Sequence, residues 1–265
     1  MRLKIWNLLL IGMMIFISGC SSQSAPEAQT RTLTVFAAAS LAEAFREIGK
    51  AFEAANPGAE VVFNFDGSQS LQTQIEQGAV ADVFASASQK QMEALISQSL
   101  VSNLQSQIFA TNQLVVILPQ DNPANIQSLD DLARPGLSLV LAAEEVPVGD
   151  YSRQVLEALN GQYGSDYAAK VLGNLVSEET NVKQIVAKVQ LGEADAGIVY
   201  TSDAVAAPEL ITITIPTDYN VVAAYPIAPL GSAPNRALAE KFVDYVLSVD
   251  GQATLKKWGF APIAP

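Results

Sequence analysis

Four short stretches of this chain place a small or polar residue between an extended segment and a helical pattern. They are Ala39-Ser40, Gly67-Ser68, Pro147-Val148-Gly149 and Thr180-Asn181-Val182. Each helix start offers N–H donors with no acceptor in a preceding turn, and about half a positive charge from the aligned peptide dipoles. A serine hydroxyl beside such amides adds one more donor, so several starts brought together would hold a dianion without any Lys or Arg. Taken singly, Ser40, Ser68 and Thr180 read as ordinary helix caps, and Val148 has no side-chain chemistry. Tyr200 ends the apolar run Gly197-Ile198-Val199-Tyr200 and reads singly as a half-buried core tyrosine with its hydroxyl at the surface. Ser40 and Ser68 are also conceivable nucleophiles of a hydrolase, which needs a general base. The chain has no histidine, and neither serine starts a Ser-x-x-Lys pattern.

Composition narrows the classes further. The 15 basic and 27 acidic residues give a formal charge of −12, which makes nucleic acid and anionic lipid surfaces poor partners. The absence of histidine excludes Ser-His and Cys-His catalysis and His-ligated zinc. Arg2 and Lys4 precede an apolar run over 5–17 that ends in Ile17-Ser18-Gly19-Cys20. That run is shorter than the roughly 20 residues of a membrane-spanning helix, so 1–19 read as a cleaved lipoprotein signal, with an uncleaved anchor as the alternative. Cys20 is the single cysteine and the expected lipid attachment point. Residues 20–32 are polar and aperiodic and are expected to form a disordered tether.

Elements that position the four junctions follow from periodicity. The pattern predicts strands at 33–36, 61–65 and 81–84, each followed by a helix, at 41–52, 71–77 and 89–96. A continuous apolar strand at 114–118 ends at Pro119, and the alternation resumes with a strand at 137–141, helices at 151–159 and 181–191, and a strand at 197–200. Strands at 211–215 and 221–227 precede two helical segments at 235–248 and 252–258. Alternating strands and helices predict an α/β fold with a mostly parallel sheet covered on both faces. The last two helices have no sheet of their own and are expected to pack back on the first lobe. This organisation predicts lobe I from 33–112 and 218–265, lobe II from 113–217, two crossings and a cleft between the lobes. In such sheets the junctions collect at the carboxyl ends of the strands, where ligands bind.

The order of four motifs adds a resemblance. Val35-Phe36-Ala37-Ala38-Ala39-Ser40-Leu41, Ala81-Asp82-Val83-Phe84-Ala85-Ser86, Val146-Pro147-Val148-Gly149-Asp150-Tyr151 and Gly197-Ile198-Val199-Tyr200-Thr201-Ser202-Asp203-Ala204 resemble the molybdate-binding proteins of bacterial ABC importers, which are two-lobed type II periplasmic binding proteins. The likeness runs over 33–260. It implies a tetrahedral oxyanion held by two serine hydroxyls with their local amides, two further backbone N–H groups and one tyrosine hydroxyl, falling on Ser40, Ser68, Val148, Val182 and Tyr200. The implied ligands are molybdate and tungstate, with molybdenum bound as the oxyanion and no direct cation ligand, no cofactor and no catalysed reaction. The implied partners are a membrane permease with a cytoplasmic ATPase, and a monomeric, lipid-tethered, extracytoplasmic receptor is expected. A receptor for sulfate or phosphate is the alternative, and Asp66 is the one residue suited to accept a phosphate proton. Where relatives often carry a neutral residue, this chain has Asp66 and Asp150; Asp66 is expected to face solvent or cap its helix. Asp82 is expected to satisfy nearby backbone groups.

Overall fold

Alternation of side chains along the first strand shows how the molecule is layered. The computed structural model describes residues 31–263, so the signal at 1–19, Cys20 and most of the tether lie outside the described residues. Strand β1 (Arg31–Ala38) starts two residues before the expected position because Arg31 and Thr32 already pair with Ala59 and Glu60. Leu33, Val35 and Ala37 face one core, whereas Phe36 faces another with Leu71, Ile75, Met92 and Leu95. A strand buried on both faces needs helices on both sides, and the next elements supply them.

After α1 (Ala42–Ala55) the chain forms β2 (Ala59–Asp66), α2 (Ser68–Glu76), β3 (Val83–Ala85), α3 (Gln89–Ser97) and β4 (Gln107–Asn112). It then enters a second sheet through β5 (Leu114–Leu118) and β6 (Leu139–Ala142). Next come α4 (Pro147–Tyr163), α5 (Tyr167–Leu172), β7 (Leu175–Glu179), α6 (Val182–Gln190), β8 (Ala196–Tyr200), α7 (Thr201–Ala206) and β9 (Ile211–Thr214). Return to the first sheet is by β10 (Ala223–Pro229), followed by α8 (Arg236–Leu247), α9 (Val249–Lys257) and the short β11 (Ala261–Pro262).

The strand orders are β11-β4-β10-β3-β1-β2 and β7-β6-β8-β5-β9. In each sheet the strand that enters through the hinge runs against its neighbours: β10 is antiparallel to β3 and β4, and β5 to β8 and β9. The reason is topological. Parallel strands linked by helices all point their carboxyl ends at the cleft, whereas a strand arriving from the other lobe starts at the cleft and must run away from it.

The two C-terminal helices do pack on the first lobe. Phe242 of α8 meets Phe45 and Phe52 of α1 at ring-centroid distances of 6.0 and 5.3 Å, and Phe45 lies 5.7 Å from Phe109 of β4. Each buried ring contributes roughly 1.5–3 kcal/mol by leaving water, so the C-terminal segment is a structural part of the lobe that began the chain. Asp82 accepts from Thr34 N–H at 2.8 Å and Asn235 N–H at 2.7 Å, joining that segment to β1.

Sequence periodicity leaves out β4, α5, β7, α7 and β11. β4 reads Gln-Ile-Phe-Ala-Thr-Asn and β7 reads Leu-Val-Ser-Glu-Glu, with polar ends that look like loop. Their polar residues find partners in other elements, such as Ser202 for buried Asn112 and Lys188 for Glu179.

Candidate functional site

Five strands of the two sheets, β1, β2, β6, β7 and β8, end at one cleft, and each delivers one group to it. β1 passes at Ala39–Leu41 into a 3-10 turn that carries Ser40. β2 ends at Asp66, and Gly67 leads into α2 with Ser68 as its first residue. α4 starts with Pro147, whose lack of an N–H costs nothing at a helix start, and Val148 follows. α6 starts at Val182, and β8 ends at Tyr200. Ser40, Ser68, Val148, Val182 and Tyr200 line the same cavity, which has an empty volume of about 210 Å³. The lining contains no Lys or Arg and a single carboxylate, Asp66.

Neither serine caps a helix. Ser40 Oγ lies 2.9 Å from the hydroxyl of Tyr225, and Ser68 Oγ accepts from Ala87 N–H at 3.0 Å. The Ala87 bond occupies an acceptor position of Ser68 and leaves its proton free for the cavity. Either hydroxyl of the Ser40–Tyr225 pair can donate; with Tyr225 as the donor the Ser40 proton is likewise free for the cavity. Asn181, not Thr180, is the N-cap of α6: its side chain accepts from Lys183 and Gln184 N–H and leaves the Val182 amide free. The amides of Ser68 and Val148 also sit in first turns, where the helix supplies no acceptor. Gly149 permits the approach of α4 to the end of β6, because a Cβ there would overlap the Ala143 carbonyl oxygen.

Tyr200 differs from its reading in isolation. It is 1 % exposed, and its buried hydroxyl has no hydrogen-bond partner among the described residues. Burial, with further contributions from Tyr225, Tyr151 and Asp203, pushes its pKa well above the ordinary phenol value, so the hydroxyl remains a donor at physiological pH. A buried donor without a partner costs about 1–3 kcal/mol, which a ligand oxygen would recover.

Asp66 neither points simply to solvent nor caps the first turn of α2. Its Oδ1 accepts from Gly67 N–H at 2.8 Å and, across the cleft, from Asn181 Nδ2 at 3.0 Å. Gln69 Nε2 donates to the Thr180 carbonyl at 2.9 Å, a second bond from lobe to lobe. Asp150 accepts from Gln154 at 2.9 Å along α4 and is not part of the cavity wall. Sequence reasoning missed Tyr225, Ala87 and Asn181, which orient or complement the donors; of these, only Asn181 carries a local signal, as a preferred cap residue.

Two lobes that meet over a small, donor-lined cavity without Lys or Arg, at the carboxyl ends of their strands, define a two-lobed type II binding protein. The chain belongs to the bacterial extracellular solute-binding protein family, whose profile matches residues 33–261. It is 41% identical over 245 residues to the molybdate-binding protein ModA of Mycobacterium tuberculosis, covering 92% of this chain and 90% of the relative. The solved substrate-binding domain of a molybdenum ABC transporter from Clostridium difficile is 31% identical, with a TM-score of 0.66 over 88% of this chain and 99% of that domain. The sulfate-binding protein SubI of Mycobacterium tuberculosis superposes with a TM-score of 0.78 over 88% of each chain at 17% identity, a likeness of fold.

Proposed function

We propose that this chain captures molybdate, and with it tungstate, outside the cytoplasmic membrane and delivers the anion to an ABC-type permease driven by a cytoplasmic ATPase. The observation that carries the reading is the convergence of two serine hydroxyls, free helix-start amides and the unpartnered Tyr200 hydroxyl on one small cavity. All are neutral donors, which suits a tetrahedral dianion with four oxygens and no proton. The likeness to molybdate-binding relatives points to the same ligand. The protein performs no reaction and needs no cofactor. It functions as a monomer, held to a membrane by lipid on Cys20, and Cys20→Ala should move it from the membrane to the soluble fraction.

Because the donors carry no net charge, discrimination rests on cavity size: a smaller ion leaves buried donors unsatisfied at about 1–3 kcal/mol each. Molybdate and tungstate are therefore expected to raise the melting temperature of the soluble domain, whereas sulfate and phosphate at equal concentration are not. A ligand bound only by the native state stabilises it by about 2.7 kcal/mol at a hundredfold excess over Kd. Equal shifts with sulfate would overturn the size argument, and a shift with phosphate alone would assign Asp66 the role of proton acceptor.

A further inference from the structure

We propose that Glu43, Lys183 and Asp203 form a latch behind the anion cavity, positioning three of its donors and holding the lobes closed. Each member lies close in sequence to a candidate contact: Glu43 is three residues past Ser40, Lys183 follows Val182, and Asp203 is three residues past Tyr200. Lys183 Nζ is 2.7 Å from Glu43 Oε2 and 3.1 Å from Asp203 Oδ1. One ammonium thus ties together the starts of α1, α6 and α7, the elements that follow Ser40, carry Val182 and follow Tyr200.

The two halves of the cluster differ in kind. Asp203 is 0 % exposed and lies in the same lobe as Lys183, so removing the lysine would leave a buried carboxylate without its cation. Burial raises the Asp203 pKa, against the opposing pull of Lys183. Burial also disfavours the Lys183 ammonium, yet Asp203 and Glu43 together hold its pKa above the usual lysine value. Glu43 is half-buried and belongs to the other lobe. Among the described residues its only other cation is Arg46 in its own helix, at 3.7 Å on an exposed face. Opening the cleft therefore separates Glu43 from Lys183 while leaving Lys183 on Asp203. The pair across the lobes exists in the closed form alone, so its energy enters the anion's release rate without the glutamate touching the anion.

The inference rests on the oxyanion reading above, and Glu43→Gln separates the two. The substitution keeps the Lys183–Asp203 pair and removes the attraction between lobes. For molybdate, release followed by stopped flow should speed up by about five- to tenfold in E43Q, as expected for losing a half-buried pair. The unliganded melting temperature should stay unchanged, and Glu43→Asp should restore part of the slow release. Unchanged release in E43Q would overturn the latch, as would an equal fall in unliganded stability, which marks an ordinary structural pair. If the wild-type chain binds no oxyanion, the functional reading falls and the latch, which rests on it, falls with it; wild-type binding with unchanged release in E43Q overturns the latch alone.

Discussion

A hydroxyl helps to hold an anion only when its own proton faces the ligand, and at Ser40 and Ser68 that orientation is set by neighbours. The Ala87 amide occupies an acceptor side of Ser68 and leaves its proton to the cavity, and Tyr225 lies at hydrogen-bond distance from Ser40, where donation by the phenol would free the Ser40 proton in the same way. Ser40→Ala and Ser68→Ala should each weaken anion binding by about 1.5–3 kcal/mol, the worth of a hydrogen bond to a charged group. Calorimetric titration checks this, and undiminished affinity in both variants would remove the serines from the site. Ser68→Ala should also lower unliganded stability, because the buried Ala87 N–H loses its acceptor. Tyr200→Phe should weaken binding yet leave the unliganded protein as stable as wild type or more so, since the unpartnered hydroxyl is a liability without ligand. The residue types at these positions were legible in the chain. The partners that aim them were not, because Tyr225 lies 185 residues from Ser40 and no local pattern links the two.

Elements present these residues because strands that share a direction share a carboxyl edge, and the loop after each opens a new helix there. The junction at Gly67 shows how close the two lobes come. Its φ of −57° and ψ of 136° suit any residue, but a Cβ at that position would overlap the Thr180 carbonyl oxygen of the other lobe. Gly67→Ala should therefore fold with wild-type stability in the absence of ligand and lose about tenfold or more in anion affinity through incomplete closure. Thermal melting and titration together test this: a variant already destabilised without ligand would show that the glycine serves the fold. The sequence places a strand-to-helix junction at Gly67-Ser68, as the structure has it, but gives no sign that the glycine faces another lobe. Strand and helix periodicity likewise revealed β1, β5 and α1, whose apolar spacing is strong. β4 and β7 escaped because their polar ends are neutralised by distant side chains, and α5 and α7 because six residues are too few to display a helical period.

At the scale of the whole molecule, two chain crossings join the two sheets. Asn220, on the return crossing, accepts from Leu114 N–H at 3.0 Å and donates to the Leu114 carbonyl at 2.8 Å, binding the two crossings into one hinge. Asn112, at the end of the outgoing strand, donates to Ser202 at 2.9 Å and ties that strand to α7. Asn220→Ala strips partners from two backbone groups of a buried residue and should cost about 1–3 kcal/mol of unliganded stability. Urea denaturation measures it, and a loss below 0.5 kcal/mol, about the floor for a net hydrogen bond, would mean that the crossings are held by packing alone.

Composition and motif order, read from the chain alone, determined that this is an acidic protein without histidine chemistry, built from alternating strands and helices, with its candidate donors at strand-to-helix junctions. Those properties are local: they depend on residue type and on spacings of two to four positions, which are visible before folding. Tertiary structure alone decided that five junctions face one cavity, that Tyr200 is buried with its hydroxyl unpartnered, and that Asp66 reaches Asn181 across the cleft. It also set the reversed strands β5 and β10 and the joining of Glu43 to Lys183 and Asp203. Each of these depends on groups brought together from separate elements or opposite lobes, and such contacts exist only once the chain has closed its long loops and buried both cores.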